Sequence, residues 1–203
     1  MPSTFLALGD SYTTGEGVAG DENWPTQLAA RLRSAGMKVV SPQIVATTGW
    51  TTGELAAAMD AATLDPPYPL VTLSIGVNNQ YRGRALGEYR EQFRALLQRA
   101  MSLADGGAAR VLVVSVPDWG VTPFASREGR DPAGVAREID AFNAVACEET
   151  ERTGARWIDV TAISRAPESR DELVDDGLHP SGAQYARWAD AILPVARAVL
   201  AEA

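Results

Sequence analysis

Five short apolar runs punctuate the chain, at residues 4–8, 39–46 (interrupted by Pro42), 70–75, 111–116 and 157–160, and helical patterns separate them. The run at 86–103 carries Tyr89, Phe93, Leu96, Leu97 and Ala100 at the 3-and-4 spacing of one helix face. Asn23 can cap a helix bearing Leu28 and Leu32, with Pro25 tolerated in its first turn. Thr52 and Glu54 start a short helix around Leu55 and Met59. A further stripe of Val135, Ile139, Phe142 and Val145 begins near Pro132. The last, from about Ser181, carries Tyr185, Trp188, Ile192 and Val199, with Pro194 expected to kink it. Strands that alternate with helices imply a parallel sheet covered on both faces, an α/β three-layer sandwich of about five strands. The β-branched runs at 71–75 and 111–116 suit doubly buried central strands.

In such sheets a ligand sits beyond the carboxyl ends of the strands, so site residues should follow strands. The Pro- and Gly-rich stretch from 117 to 132 reads as one long surface loop that can wall a site. At 203 residues, 46% of them apolar, residues 1–203 are expected to form a single domain with a real core.

Eighteen Lys and Arg against 26 Asp and Glu leave a net charge of −8, which repels phosphate backbones and anionic lipid surfaces. Nucleic acid is therefore not an expected partner. No apolar stretch approaches the roughly 20 residues of a bilayer span, so no integral membrane segment is expected. Met1-Pro2-Ser3-Thr4 leads straight into the first strand-like run without a basic, then apolar, leader, which points to the cytoplasm. The lone Cys147 excludes an internal disulfide and reads as a small buried apolar side chain.

Two signals compete near the amino terminus. Gly15-Glu16-Gly17-Val18-Ala19-Gly20 has the G-x-G-x-x-G spacing of a dinucleotide site, but its first glycine stands six residues beyond the strand end at Gly9. Glu16, Asp21 and Glu22 add negative charge where a phosphate would bind, so these glycines read as turn residues. The second signal is Gly9-Asp10-Ser11, a serine directly after the strand. Further strand ends carry Thr47-Thr48-Gly49-Trp50-Thr51-Thr52-Gly53 and Gly76-Val77-Asn78-Asn79-Gln80-Tyr81, and Val174-Asp175-Asp176-Gly177-Leu178-His179-Pro180 lies near the carboxyl end.

These four blocks, in this order from Gly9 to Pro180, resemble the SGNH hydrolases, the GDSL esterase and lipase family. The resemblance implies a flavodoxin-like strand order and a serine esterase. Ser11 would be the nucleophile, His179 the base and Asp176 the acid that orients it, with Asp175 left as a solvated acid. The backbone N–H groups of Ser11 and Gly49 and the side-chain amide of Asn78 would form the oxyanion hole. Gly49 suits that role because a residue without Cβ lets its backbone come close to a substrate. Tyr12, Trp50, Tyr81 and Trp119 all follow strands and can line a binding cleft, with Asn79 as a further substrate-binding position. Asn79 stands where many members have Asp, and Tyr12 where Leu is common. The absence of a G-x-S-x-G elbow argues against the ordinary α/β-hydrolase fold.

No cofactor and no metal are expected, because one histidine and one cysteine leave only carboxylates as ligands. The expected partner is a small-molecule ester, small or single-chain. Carbohydrate O-acetylesterase, thioesterase and lysophospholipase activities of the same family are the alternatives. A catalytically silent relative used for binding, or a non-catalytic flavodoxin-like binding module, would bind without turnover. With one histidine as base, kcat/KM should rise with pH through a single ionisation.

Overall fold

The computed structural model of the protein describes residues 4–201. In chain order it contains β1 (Leu6–Gly9), α1 (Ser11–Thr14), α2 (Trp24–Ser34), β2 (Gln43–Ala46), α3 (Thr52–Ala61), β3 (Val71–Ser74) and α4 (Val77–Tyr81). There follow α5 (Leu86–Leu103), β4 (Val111–Val114), α6 (Pro123–Arg127), α7 (Pro132–Thr153), β5 (Arg156–Ile158), α8 (Thr161–Arg165) and α9 (Gly182–Ala201). The strands form one parallel sheet in the order β2-β1-β3-β4-β5, the flavodoxin-like arrangement.

Burial follows position in the sheet. The inner strands β1, β3 and β4 are buried along their whole length, Thr72 and Ser74 of β3 included, while the edge strands β2 and β5 are only partly covered. Alternate residues from Phe5 into β1 divide between the two faces. Phe5 and Ala7 join Trp24, Leu28 and Leu32 of α2 and Trp188, Ile192 and Ala196 of α9, while Leu6 and Leu8 join Leu55 of α3, Phe93 and Leu97 of α5 and Val145 of α7. Packing, not helix propensity, therefore holds each helix to the sheet.

Local signals set the helix starts. The Asn23 side chain accepts the Thr26 N–H at 2.9 Å, with Pro25 in the first turn. Thr51 and Glu54 form a capping box, the Thr51 N–H donating to Glu54 Oε2 at 2.7 Å. α9 runs on as one helix through Pro194.

Two expectations need correction. The 117–132 stretch is not one long surface loop: it contains a 3-10 turn at Trp119–Val121 and the helix α6, and Asp118, Trp119 and Ala125 are buried, while residues 126–129 are exposed. Its anchor is the Asp118 carboxylate, which caps the turn through the Gly120 N–H at 2.9 Å and accepts Arg165 Nε at 2.8 Å. Cys147 is half-exposed, its thiol 3.7 Å from Glu151 Oε1, because it lies beside the apolar stripe of α7 and not on it. Among the described residues no helix is long and apolar enough to cross a membrane.

Candidate active site

Strand register explains why residues far apart in the chain meet. Gly9 pairs with Ala46 of β2 on one side and Ser74 of β3 on the other, so the loops after these three strands leave the sheet side by side. The chain crosses from one flank of β1 to the other between β2 and β3, making the carboxyl end of β1 the switch point. Gly9 is required at this crowded point: a Cβ there would stand 2.1 Å from Thr13 Oγ1 and 2.7 Å from the Ser74 carbonyl.

Ser11 opens α1, capped by Asp10, whose Oδ1 accepts the Tyr12 N–H at 3.1 Å. The Ser11 hydroxyl is 2.9 Å from His179 Nε2. His179 is carried by a tight turn in which Asp176 Oδ1 accepts the N–H groups of Leu178 at 2.7 Å and His179 at 2.9 Å, while Oδ2 lies 2.6 Å from Nδ1. Burial pushes the Asp176 carboxyl up, but the hydrogen bonds from His179 and Leu178 outweigh it and hold the group below the usual carboxylate range. Asp175 is exposed. Arg127 of α6 donates to the Asp176 carbonyl, and the Phe124 N–H donates to the Gly177 carbonyl at 3.0 Å, tying this turn to the 117–132 segment.

Among the described residues, the N–H groups of Ser11 and Gly49 donate to no protein acceptor. Gly49 has φ +86°, and only the tip of Arg82 comes within 4 Å of a Cβ built there. Glycine is thus needed for backbone conformation rather than for close packing. Its loop is clamped at four points. Thr48 Oγ1 donates to Glu16, Arg82 Nη2 donates to the Gly49 carbonyl at 2.6 Å, Asn78 Nδ2 donates to the Trp50 carbonyl at 3.0 Å, and the Thr52 N–H donates to Asn79 Oδ1 at 3.0 Å. Asn78 keeps a second amide hydrogen for a ligand.

A cleft of about 170 Å³ opens over Ser11 and His179, walled by Gly49, Asn78, Tyr12, Tyr81 and Trp119 of the expected residues. Thr48, Val77, Phe124 and Leu178 also line it, though sequence reading did not single them out. Two expected binding residues lie elsewhere. Trp50 is half-buried against the core on the Leu8 and Leu55 face of the sheet and does not line the cleft, and Asn79 is 1% exposed, its amide clasping Thr52 through Oδ1 and, at 2.8 Å, through Nδ2. A side chain buried behind the loop cannot reach a ligand in front of it. Asp10, next to Ser11, is 1% exposed, its Oδ2 has no partner among the described residues, and burial pushes its pKa up to about 7. The glycines at 15 and 17 lie in turns after α1, as expected. Among the described residues no group of three or more His, Cys, Asp or Glu is placed to hold a metal ion.

A serine hydroxyl, an imidazole and a carboxylate in one hydrogen-bonded line, beside unspent N–H donors, can move a proton off the hydroxyl and receive negative charge close by. This sheet, with helices on both faces and a cleft at its carboxyl edge, is a three-layer α/β/α fold. Residues 7–187 match the model of the GDSL-like lipase/acylhydrolase family, so the chain belongs to that family and is a carboxylic ester hydrolase. It is similar to esterase TesA of Pseudomonas aeruginosa, at 24% identity over 97% of this chain and 89% of that protein. Its fold is similar to that of a lipase/acylhydrolase from Enterococcus faecalis, with a TM-score of 0.75 at 19% identity over 98% and 96% of the two chains. It is also similar to Axe2, an acetyl xylan esterase from Geobacillus stearothermophilus, with a TM-score of 0.72 at 21% identity over 96% and 94%.

Proposed function

We propose that the chain, as a single hydrolase domain, is a serine esterase that cleaves small or single-chain esters through an acyl-enzyme. The observation that carries the reading is the double engagement of His179, 2.9 Å from Ser11 Oγ at one nitrogen and 2.6 Å from Asp176 at the other. Ser11 Oγ attacks the ester carbonyl while His179 Nε2 takes its proton. Asp176 keeps Nδ1 protonated and offsets the charge of the imidazolium. The Ser11 and Gly49 N–H groups and the Asn78 amide hold the oxyanion, the alcohol leaves with the proton from His179, and a water repeats the sequence to release the acid.

The cleft supports small substrates. Its volume of about 170 Å³ is close to that of an apolar cavity of about 150 Å³ that binds benzene, so an aryl group or a short acyl chain fits. Hydrolysis of p-nitrophenyl esters of increasing chain length, in chelator, tests the reading. Turnover by the wild type should fall by on the order of 10⁶ in Ser11→Ala. Full activity in that variant, or failure of a fluorophosphonate to label Ser11, would rule the mechanism out.

A carbohydrate O-acetylesterase is the second reading, favoured by Tyr81. This ring is 42% exposed at the cleft, edge-on to Trp119 at 5.4 Å, a surface on which a sugar can stack. Release of acetate from acetylated xylooligosaccharides faster than from p-nitrophenyl acetate would select it.

A further inference from the structure

Behind the cleft lies a polar chain that acyl transfer does not use. Gln80, on α4 beside Tyr81, is 2% exposed. Its Oε1 accepts the Trp119 indole N–H at 2.7 Å, and its Nε2 donates to Glu138 Oε2 of α7 at 2.6 Å. The amide has only one workable orientation. A carboxylate can only accept, so the NH₂ must face Glu138 and the oxygen must face the indole. The flipped amide would set two donors against each other on one side and two acceptors on the other.

Trp119 is 2% exposed yet walls the cleft. It meets Phe124 at 6.1 Å and Tyr81 at 5.4 Å between ring centres, with the Arg130 guanidinium 5.1 Å from its own ring centre. Those contacts are broad and tolerate rotation. The bond to Gln80 does not, because a buried indole N–H turned away from its acceptor is left unpaired. Trp119 is thus the one ring of the three whose angle is set by a directional bond, and that bond is itself set from α7.

We propose that Gln80 is a specificity-determining positioning residue: held by Glu138, it fixes the Trp119 indole as a rigid wall and so limits the size of the ester group that the cleft accepts. The inference rests on the cleft being the ester-binding site, as proposed above.

The experiment measures kcat and KM for p-nitrophenyl acetate through decanoate, and for acetates of phenol and naphthol, in the wild type, Gln80→Leu, Gln80→Glu and the double variant Q80E/E138Q. Gln80→Leu removes both bonds and frees the indole. The kcat/KM ratio of the larger to the smallest substrate should shift by about tenfold in at least one series, the worth of roughly one methylene of pocket space. The shift should fall in KM. Gln80→Glu sets two carboxylates face to face and should also shift the ratio. In the double variant Glu at 80 accepts from both the indole and the new amide, and the ratio should return to within about twofold of wild type, which side-chain volume alone would not do. Unchanged ratios in Gln80→Leu, or equal ratios in Gln80→Glu and the double variant, would overturn the inference and leave the esterase reading intact. If Gln80→Leu does not fold, the comparison of Gln80→Glu with the double variant decides alone. A wild type inactive on every ester would overturn both.

Discussion

Asp176 holds His179 at two places at once: Oδ1 accepts its backbone N–H at 2.9 Å and Oδ2 sits 2.6 Å from its Nδ1. One carboxylate therefore both folds the turn and chooses the tautomer. In Asp176→Asn the amide oxygen can keep the turn while the NH₂ faces Nδ1, leaving Nε2 protonated toward Ser11 and unable to accept a proton. Steady-state kinetics should show kcat lower by about 10⁴ with little change in KM. Loss confined to KM would remove Asp176 from the proposed mechanism.

One amide hydrogen of Asn78 is committed to the Trp50 carbonyl, which leaves the other for the oxyanion role proposed above. Asn78→Ala is expected to lower kcat by about 10²–10³. Substrate affinity should change little, and a KM effect equal to the kcat effect would instead mark Asn78 as a general binding residue.

Asp10 is buried beside the proposed nucleophile with one oxygen unpartnered, and burial lifts its pKa from 3.8 to about 7. Between those values the folded chain holds a proton that the unfolded chain has lost, so this group's contribution to stability falls as pH rises through the window and levels off above about 7. Asp10→Asn keeps the oxygen that caps α1 and cannot ionise. Its stability relative to wild type should improve between pH 5 and pH 8 by on the order of 2 kcal/mol, read from denaturant midpoints at the two pH values. A constant difference would mean that Asp10 does not titrate there.

Glu149 has the opposite sign. Its side chain is 4% exposed and accepts from Arg94 at 2.9 and 3.0 Å, Arg90 at 2.7 Å and Arg152 at 2.9 Å, and the hydrogen bonds from Arg94 lead in bringing its pKa down from 4.5 to about 2. The stability it contributes is present above about 4.5 and is lost as pH falls toward 2. Glu149→Gln should cost about 1–3 kcal/mol at pH 7. The gap from wild type should narrow in urea titrations at pH 3 relative to pH 7, and a gap independent of pH would place the effect in packing between α5 and α7.

The sequence by itself determined the layer architecture, because hydrophobic period is a local property: five apolar runs became five parallel strands, and the stripe at 86–103 became α5 with the expected face buried. Motif order likewise led to the family and to the residues that meet at the cleft. Chain distance hides what tertiary structure decides. Asn79 lies beside Asn78 in sequence, yet α4 turns it to the far side of the loop, where it clasps Thr52. A one-residue step on a helix rotates a side chain by about 100°, and no motif records which side faces a ligand. The 117–132 stretch looked like surface because Pro and Gly mark turns, but one buried carboxylate, Asp118, meeting Arg165 from 47 residues away draws it into the wall of the cleft. The same holds for Gln80, whose partners Trp119 and Glu138 lie 39 and 58 residues distant. Local chemistry writes strands, caps and turns into the sequence, whereas the pairing of single polar side chains depends on where the sheet register and helix packing deliver them.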